Sequence, residues 1–183
     1  MSEEIDILKL VCQRLEQVDV PYMLTGSFAA NFYAVPRMTR DIDIVIEILK
    51  SDVDKIFHSF KNEFYIDAEP ISEAIKHQGM FNIIHNESVF KIDFIIRKDS
   101  SYRNTEFQRK RRIQLDNTGI WIVSPEDLII SKLYWAKDNL SQVQISDVNN
   151  LLKSIKCLDN EYIQLWIENL KLNHVYNMVK TDA

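Results

Sequence analysis

Residues 24–47 read LTGSFAANFYAVPRMTRDIDIVIE, and Ser27 stands fourteen residues ahead of Asp41. In an extended strand, residues i and i+2 share a face. Asp41 and Asp43 therefore project from one side, while Ile42, Ile44 and Ile46 bury on the other. Two carboxylates held this close repel each other unless something positive lies between them. A hard divalent cation with oxygen ligands, carrying a nucleotide phosphate, meets that need. Gly26 lets the backbone pass close to a ligand. Ser27 then opens a helix whose free N–H groups and hydroxyl suit phosphate oxygens. Arg37 and Arg40 precede the acids, and a guanidinium is shaped for bidentate phosphate contacts. Each piece also has a plain structural reading: solvated strand decoration for the acids, an ordinary strand-to-helix turn for Gly26-Ser27, loop surface charge for Arg37.

Metal-dependent chemistry usually recruits a third acid from a neighbouring strand, and residues 89–96, VFKIDFII, supply Asp93. A carboxylate inside an apolar run is costly unless it is paired or bound to metal. If this strand lies beside the first, Asp41, Asp43 and Asp93 converge, with Lys91 on the same face. Such a patch suits two magnesium ions, one carrying the triphosphate and one activating a hydroxyl. Asp93 is then placed to assist deprotonation of the nucleophile.

Around these segments, apolar spacing predicts a helix over 3–18, a short strand over 21–24, a helix over 28–33 and a strand over 41–48. Ser51 reads as the N-cap of a helix over 52–62. A short strand over 63–66 and a helix over 72–77 follow. A β-hairpin joins 80–84 to 89–96, and a smaller pair joins 113–115 to 120–123. From Ser124 the pattern turns helical: Ser124-Pro125-Glu126-Asp127 carries an N-cap, a first-turn proline and first-turn acids. Further helices are expected over 141–155, 159–170 and 173–180. The expected architecture is α+β: a mixed-sheet core over 1–123 and a C-terminal helical part over 124–183 that closes a nucleotide cleft.

With 183 residues and 46% hydrophobic content, the chain can bury a proper core. A net charge of −5 gives no global basic field for wrapping nucleic acid. The basic run Arg109-Lys110-Arg111-Arg112 remains a candidate grip on phosphate or an RNA backbone, or a solvated face. Cys12 and Cys157 stand apart and read as buried or incidental thiols. No apolar run approaches a membrane span, which points to a soluble, cytoplasmic protein.

The layout resembles the DNA polymerase β-type nucleotidyltransferase superfamily, with its hG[GS]…Dh[DE]h signature and a later third acid. The matching residues are Leu24-Thr25-Gly26-Ser27, Asp41-Ile42-Asp43-Ile44 and Ile92-Asp93-Phe94. More narrowly, it is similar to small bacterial stand-alone members near the abortive-infection (AbiEii-like) toxins. The segments concerned are Pro36 to Asp43, SPEDLIISKLYW at 124–135 and Gln144 to Leu152. That resemblance implies an Mg²⁺-dependent enzyme, with Mn²⁺ as a substitute, moving a nucleoside monophosphate from an NTP such as ATP to a hydroxyl acceptor. The acceptor is an RNA end such as tRNA, a protein hydroxyl or a small molecule, and an antitoxin is an implied partner. It assigns Gly26, Ser27, Arg40, Lys132 and Asp147 to the nucleotide, with Asp147 near it or supporting Lys132. Ser146 stands where the toxin branch often has arginine. The competing reading is a nucleotide- or partner-binding module of the same fold without turnover.

Overall fold

In the computed structural model, which describes residues 3–39 and 41–181, the alternation around Asp41 becomes a central strand. The first half runs α1 (Glu3–Gln17), β1 (Tyr22–Thr25), α2 (Gly26–Tyr33), β2 (Asp41–Ile46), α3 (Val53–Phe60), β3 (Phe64–Tyr65), α4 (Ala68–His77), β4 (Met80–His85) and β5 (Lys91–Ile96). It continues through α5 (Ser101–Gln108), β6 (Arg111–Leu115), β7 (Thr118–Ile122), α6 (Pro125–Ala136), α7 (Gln142–Ser154), α8 (Asn160–Asn169) and α9 (Asn173–Thr181). The architecture is the expected α+β one, a mixed sheet flanked by helices with a helical C-terminal region.

The strands form one sheet in the order β3-β4-β5-β2-β1-β7-β6. β2 pairs antiparallel with β1 and parallel with β5, and β7 joins β1 in parallel. One face is apolar: Ile42, Ile44, Ile92 and Phe94 are fully buried. The Phe60 ring of α3 lies 5.7 Å from that of Phe94, so the helical layer containing α3 covers this face. The other face of β2 and β5 carries Asp41, Asp43, Lys91 and Asp93. A period of two has sorted the strand, with hydrophobic burial fixing which face turns inward.

Some local expectations need correction. Ser51 is not a helix N-cap. Residues 50–52 form a 3-10 turn, and the Asp52 carboxylate accepts from the Leu49 N–H at 2.7 Å. The helix expected over 72–77 begins four residues earlier, at Ala68 after Asp67. Its Pro70 is tolerated in the first turn, where the missing N–H has no partner to lose. Helix α5 is not anticipated at all. Its sequence, SYRNTEFQ, has almost no apolar periodicity, and its buried members include Glu106.

That buried acid belongs to a polar framework tying α5, β6, α6 and α8 together. The Ser131 hydroxyl donates to Glu106 at 2.6 Å and Arg103 pairs with Glu106 at 2.8 Å. Asp127, fully buried, accepts from the Ser124 hydroxyl at 2.6 Å, the Tyr162 hydroxyl at 2.6 Å and Arg109 at 3.0 Å. Glu126 takes Arg111 at 3.3 Å and Arg109 at 3.5 Å. The SPED segment is thus a fold-building joint as well as a helix cap. Replacing Asp127 with alanine is expected to cost about 3–5 kcal/mol, because Arg109 and two hydroxyls lose a buried partner. Urea unfolding checks this.

The same framework answers the question of the basic run. Arg109 also stacks 3.8 Å over Tyr162, and Lys110 lies 3.7 Å over Phe107. Arg112 reaches Glu16 at 3.3 Å. All four basic residues have partners within the chain, while Arg111 and Arg112 keep about half of their side-chain surface exposed, at 54% and 51%. Among the described residues, no helix is long and apolar enough to cross a membrane.

Candidate active site

Parallel pairing of β2 with β5 puts Asp43 opposite Asp93 and Asp41 opposite Lys91. Two acids separated by fifty residues thereby sit side by side on one sheet face. β1 runs on the other flank of β2, with Thr25 opposite Asp43. The chain leaves β1 straight into α2 through Gly26, whose φ of +68° lies in the left-handed region. A Cβ at Gly26 would fall 2.0 Å from the Asp43 Oδ2 atom. Glycine is therefore required twice here, for the backbone angle and for the space that the carboxylate fills. Gly26→Ala is expected to lose at least about 1–2 kcal/mol from the angle alone and to push Asp43 out of line with Asp93. Thermal denaturation reads the first effect, and a crystal structure of the variant reads the second.

Burial comes first among the influences on Asp43, followed by repulsion from Asp93 and Asp41. Together they push its carboxyl up to about 6, with Lys132 and Lys91 pulling the other way. Asp93 is 8% exposed. The Lys91 ammonium lies 2.8 Å from Asp93 Oδ2 and 3.5 Å from Asp41 Oδ1. Among the described residues, no three acidic side chains are gathered tightly enough to enclose a metal ion as they stand. The donor set nevertheless fits Mg²⁺: hard carboxylate oxygens from adjacent strands, beside a glycine cradle that a Cβ would fill.

Across from the acids lies a second network, built from the α2 N-terminus, the loop after it, and helices α6 and α7. Arg37 grips Asp147 with both arms, Nε to Oδ1 at 2.7 Å and a terminal nitrogen to Oδ2 at 2.8 Å. The same terminal nitrogen donates to the Ser27 hydroxyl at 2.5 Å. Lys132, 3% exposed, donates to Asp147 Oδ2 at 2.7 Å and to Gln144 at 3.2 Å. Burial pushes the Asp147 carboxyl up, but the bonds from Arg37 and Lys132 outweigh it and hold the group below the usual carboxylate range. Burial dominates for Lys132 and draws its ammonium below the ordinary lysine value, against the pull of Asp147.

The loop bearing Arg37 is itself fastened. Asn31 donates to the Arg37 carbonyl at 2.9 Å and accepts from the Arg37 N–H at 3.0 Å, while Asn150 donates to the Val35 carbonyl at 2.8 Å. A hollow of about 270 Å³ adjoins it, lined by Phe28, Asn31, Phe32, Arg37, Met38 and Thr39 among others.

The structure thus brings Asp41, Asp43 and Asp93 to one sheet face, with Gly26 against Asp43. It joins Ser27 to Asp147 through Arg37, and Asp147 in turn to Lys132. Arg40 lies outside the described residues. Sequence reasoning left the role of Arg37 open. The guanidinium that meets Asp147 comes from this loop, while Ser146 occupies the neighbouring chain position. Lys91 was legible only as a residue sharing the face of Asp93. Cys12 is buried and Cys157 exposed.

No protein-family model and no curated protein matches the sequence. Solved structures do match the fold. An antigenic nucleotidyltransferase-like protein from Paracoccidioides brasiliensis shares 15% identity over 98% of this chain and 94% of its own, with a TM-score of 0.57. The lincomycin-bound lincosamide antibiotic adenylyltransferase LnuA shares 14% over 85% and 99%, with a TM-score of 0.55. The antibiotic-resistance factor ANT(2'')-Ia shares 12% over 98% and 97%, with a TM-score of 0.60. At these identities the likeness speaks for architecture alone, and the chain has a nucleotidyltransferase-like fold.

Proposed function

We propose that the chain is an Mg²⁺-dependent nucleotidyltransferase that moves a nucleoside monophosphate from an NTP to a hydroxyl acceptor. The observation that carries this reading is the register of β2 and β5, in which Asp43 stands opposite Asp93 on the face shared with Asp41. Two magnesium ions held by Asp41, Asp43 and Asp93 would neutralise charge on the triphosphate and activate the hydroxyl, and Mn²⁺ would substitute. Ser27, Arg37, Arg40 and Lys132 take the phosphates, with Asp147 positioning Arg37 and Lys132. The helical part at 124–183 forms the second wall of the cleft. The acceptor oxygen attacks the α-phosphorus, the bond to the β-phosphate bridging oxygen breaks, and pyrophosphate leaves in line. Asp93 receives the hydroxyl proton.

The acceptor class is the open variable. LnuA and ANT(2'')-Ia, described respectively as an antibiotic adenylyltransferase and an antibiotic-resistance factor, support a small-molecule hydroxyl. The net charge of −5 weighs against an extended RNA contact, though not against the grasp of a single RNA end. The segments similar to the abortive-infection toxins support the narrower reading of a cytoplasmic toxin with an antitoxin partner. One observation favours a binding module without turnover: the acids are not closed around a common point.

Calorimetric titration of each NTP into wild type and Asp41→Ala/Asp43→Ala protein, with and without Mg²⁺, tests the proposal. Metal-dependent binding that the double variant loses is the expected result. A folded wild type that binds no NTP overturns it. Binding without any pyrophosphate release across a panel of acceptors favours the silent module.

A further inference from the structure

Lys91 occupies a place in the acid face that the proposed chemistry does not use. It sits two residues before Asp93 on the same side of β5 and directly beside Asp41. Its ammonium bridges the two carboxylates at 2.8 and 3.5 Å. A divalent cation shared by Asp41 and Asp93 would need this same space, and two cations there repel strongly because the Asp93 carboxylate is largely buried. The Lys91 side chain is 37% exposed, so its flexible four-carbon stem can carry the ammonium out to water. The carboxylates stand apart around the ammonium, consistent with the absence of a closed three-acid cluster among the described residues.

We infer that Lys91 is a resident counter-ion of the acid face, displaced when a divalent metal enters, and that it sets the metal affinity of the site. This rests on the nucleotidyl-transfer reading and deepens it. Displacement is unfavourable for the bare ion and eased when nucleotide phosphates add negative charge. Metal therefore loads well only together with nucleotide, and in the unloaded site Lys91 offsets the charge of Asp41 and Asp93.

The test is Mn²⁺ binding followed by the electron paramagnetic resonance of the free ion, a readout independent of turnover. It compares wild type, Lys91→Met, Lys91→Arg and Asp93→Asn, each confirmed folded by circular dichroism. Lys91→Met is expected to bind Mn²⁺ alone about tenfold more tightly than wild type. Lys91→Arg, which keeps the charge, should stay near wild type, and added ATP should narrow the gap between Lys91→Met and wild type. Wild-type binding that depends on Asp93 but is unchanged or weakened in Lys91→Met overturns the inference while leaving the metal site standing. No Asp93-dependent binding in either protein overturns both.

Discussion

Asp43→Asn is expected to make the metal-free protein more stable at pH 7 while removing the proposed metal-dependent nucleotide chemistry. In the folded chain the Asp43 carboxyl holds its proton more tightly than in the unfolded chain, its pKa rising from 3.8 to about 6 through burial and then the two neighbouring acids. The native state therefore binds more protons than the unfolded state between those values. Stability from this group is greatest below about pH 4 and declines as pH rises toward 6. By neutral pH the ionised group costs on the order of 2–3 kcal/mol. Asparagine keeps the shape and removes the charge, so its melting temperature should exceed that of wild type and depend less on pH between 4 and 6. Pyrophosphate release, by contrast, should fall by roughly 10²–10³-fold, the usual scale for deleting one preorganised electrostatic group. Scanning calorimetry without metal, followed by the same scan with Mg²⁺, separates the two effects. Added metal should stabilise wild type far more than the variant. A variant less stable than wild type in both conditions would show that Asp43 is a structural acid rather than a strained functional one.

The opposite result is expected at Asp147. It is 5% exposed and serves Arg37 and Lys132 at once. Asp147→Ala leaves the Lys132 ammonium buried with only Gln144 as a bonded partner, a loss of about 3–5 kcal/mol at neutral pH. The pH dependence has a definite sign. Burial already lowers the Lys132 pKa, and without Asp147 it falls further. The folded variant then binds fewer protons than its unfolded chain, so its stability recovers as pH rises toward 10.5, the ordinary lysine value. Wild-type Asp147, whose pKa is lowered, contributes across the neutral range and loses that contribution only as pH falls below the usual carboxylate value. Urea melts of both proteins at several pH values read this directly. The same change frees Arg37 from the position in which it reaches the Ser27 hydroxyl, so NTP affinity should drop as well. Loss of stability without loss of NTP affinity would assign the Asp147 network to the fold alone.

These two acids also mark how far sequence patterning reaches. Asp43 was readable because a strand enforces a period of two, and Ile42, Ile44 and Ile46 leave the intervening carboxylates only one side to occupy. Asp93 was readable because a charged residue in VFKIDFII needs a reason to be there. The amphipathic helices and the capped SPED start were readable on the same local grounds. Helix α5 escaped because its buried side chains include a carboxylate, which a hydrophobic period does not register. Arg37 was legible as a loop guanidinium, but its pairing was not: Asp147 is 110 residues away, and nothing in a loop sequence says which acid a guanidinium will find.

Most of the helices and strands, and the two-faced character of β2 and β5, were legible in the chain alone, because they follow from local periodicity and the cost of burying charge. Only the tertiary structure decided that β2 and β5 run parallel in the register that pairs Asp43 with Asp93. It alone inserted Lys91 between Asp41 and Asp93, and it alone spent the basic run on Glu126, Asp127, Glu16 and neighbouring rings. Register and ion pairing depend on contacts between segments far apart in the chain. Their energies exist only once the apolar faces have collapsed and brought those segments together.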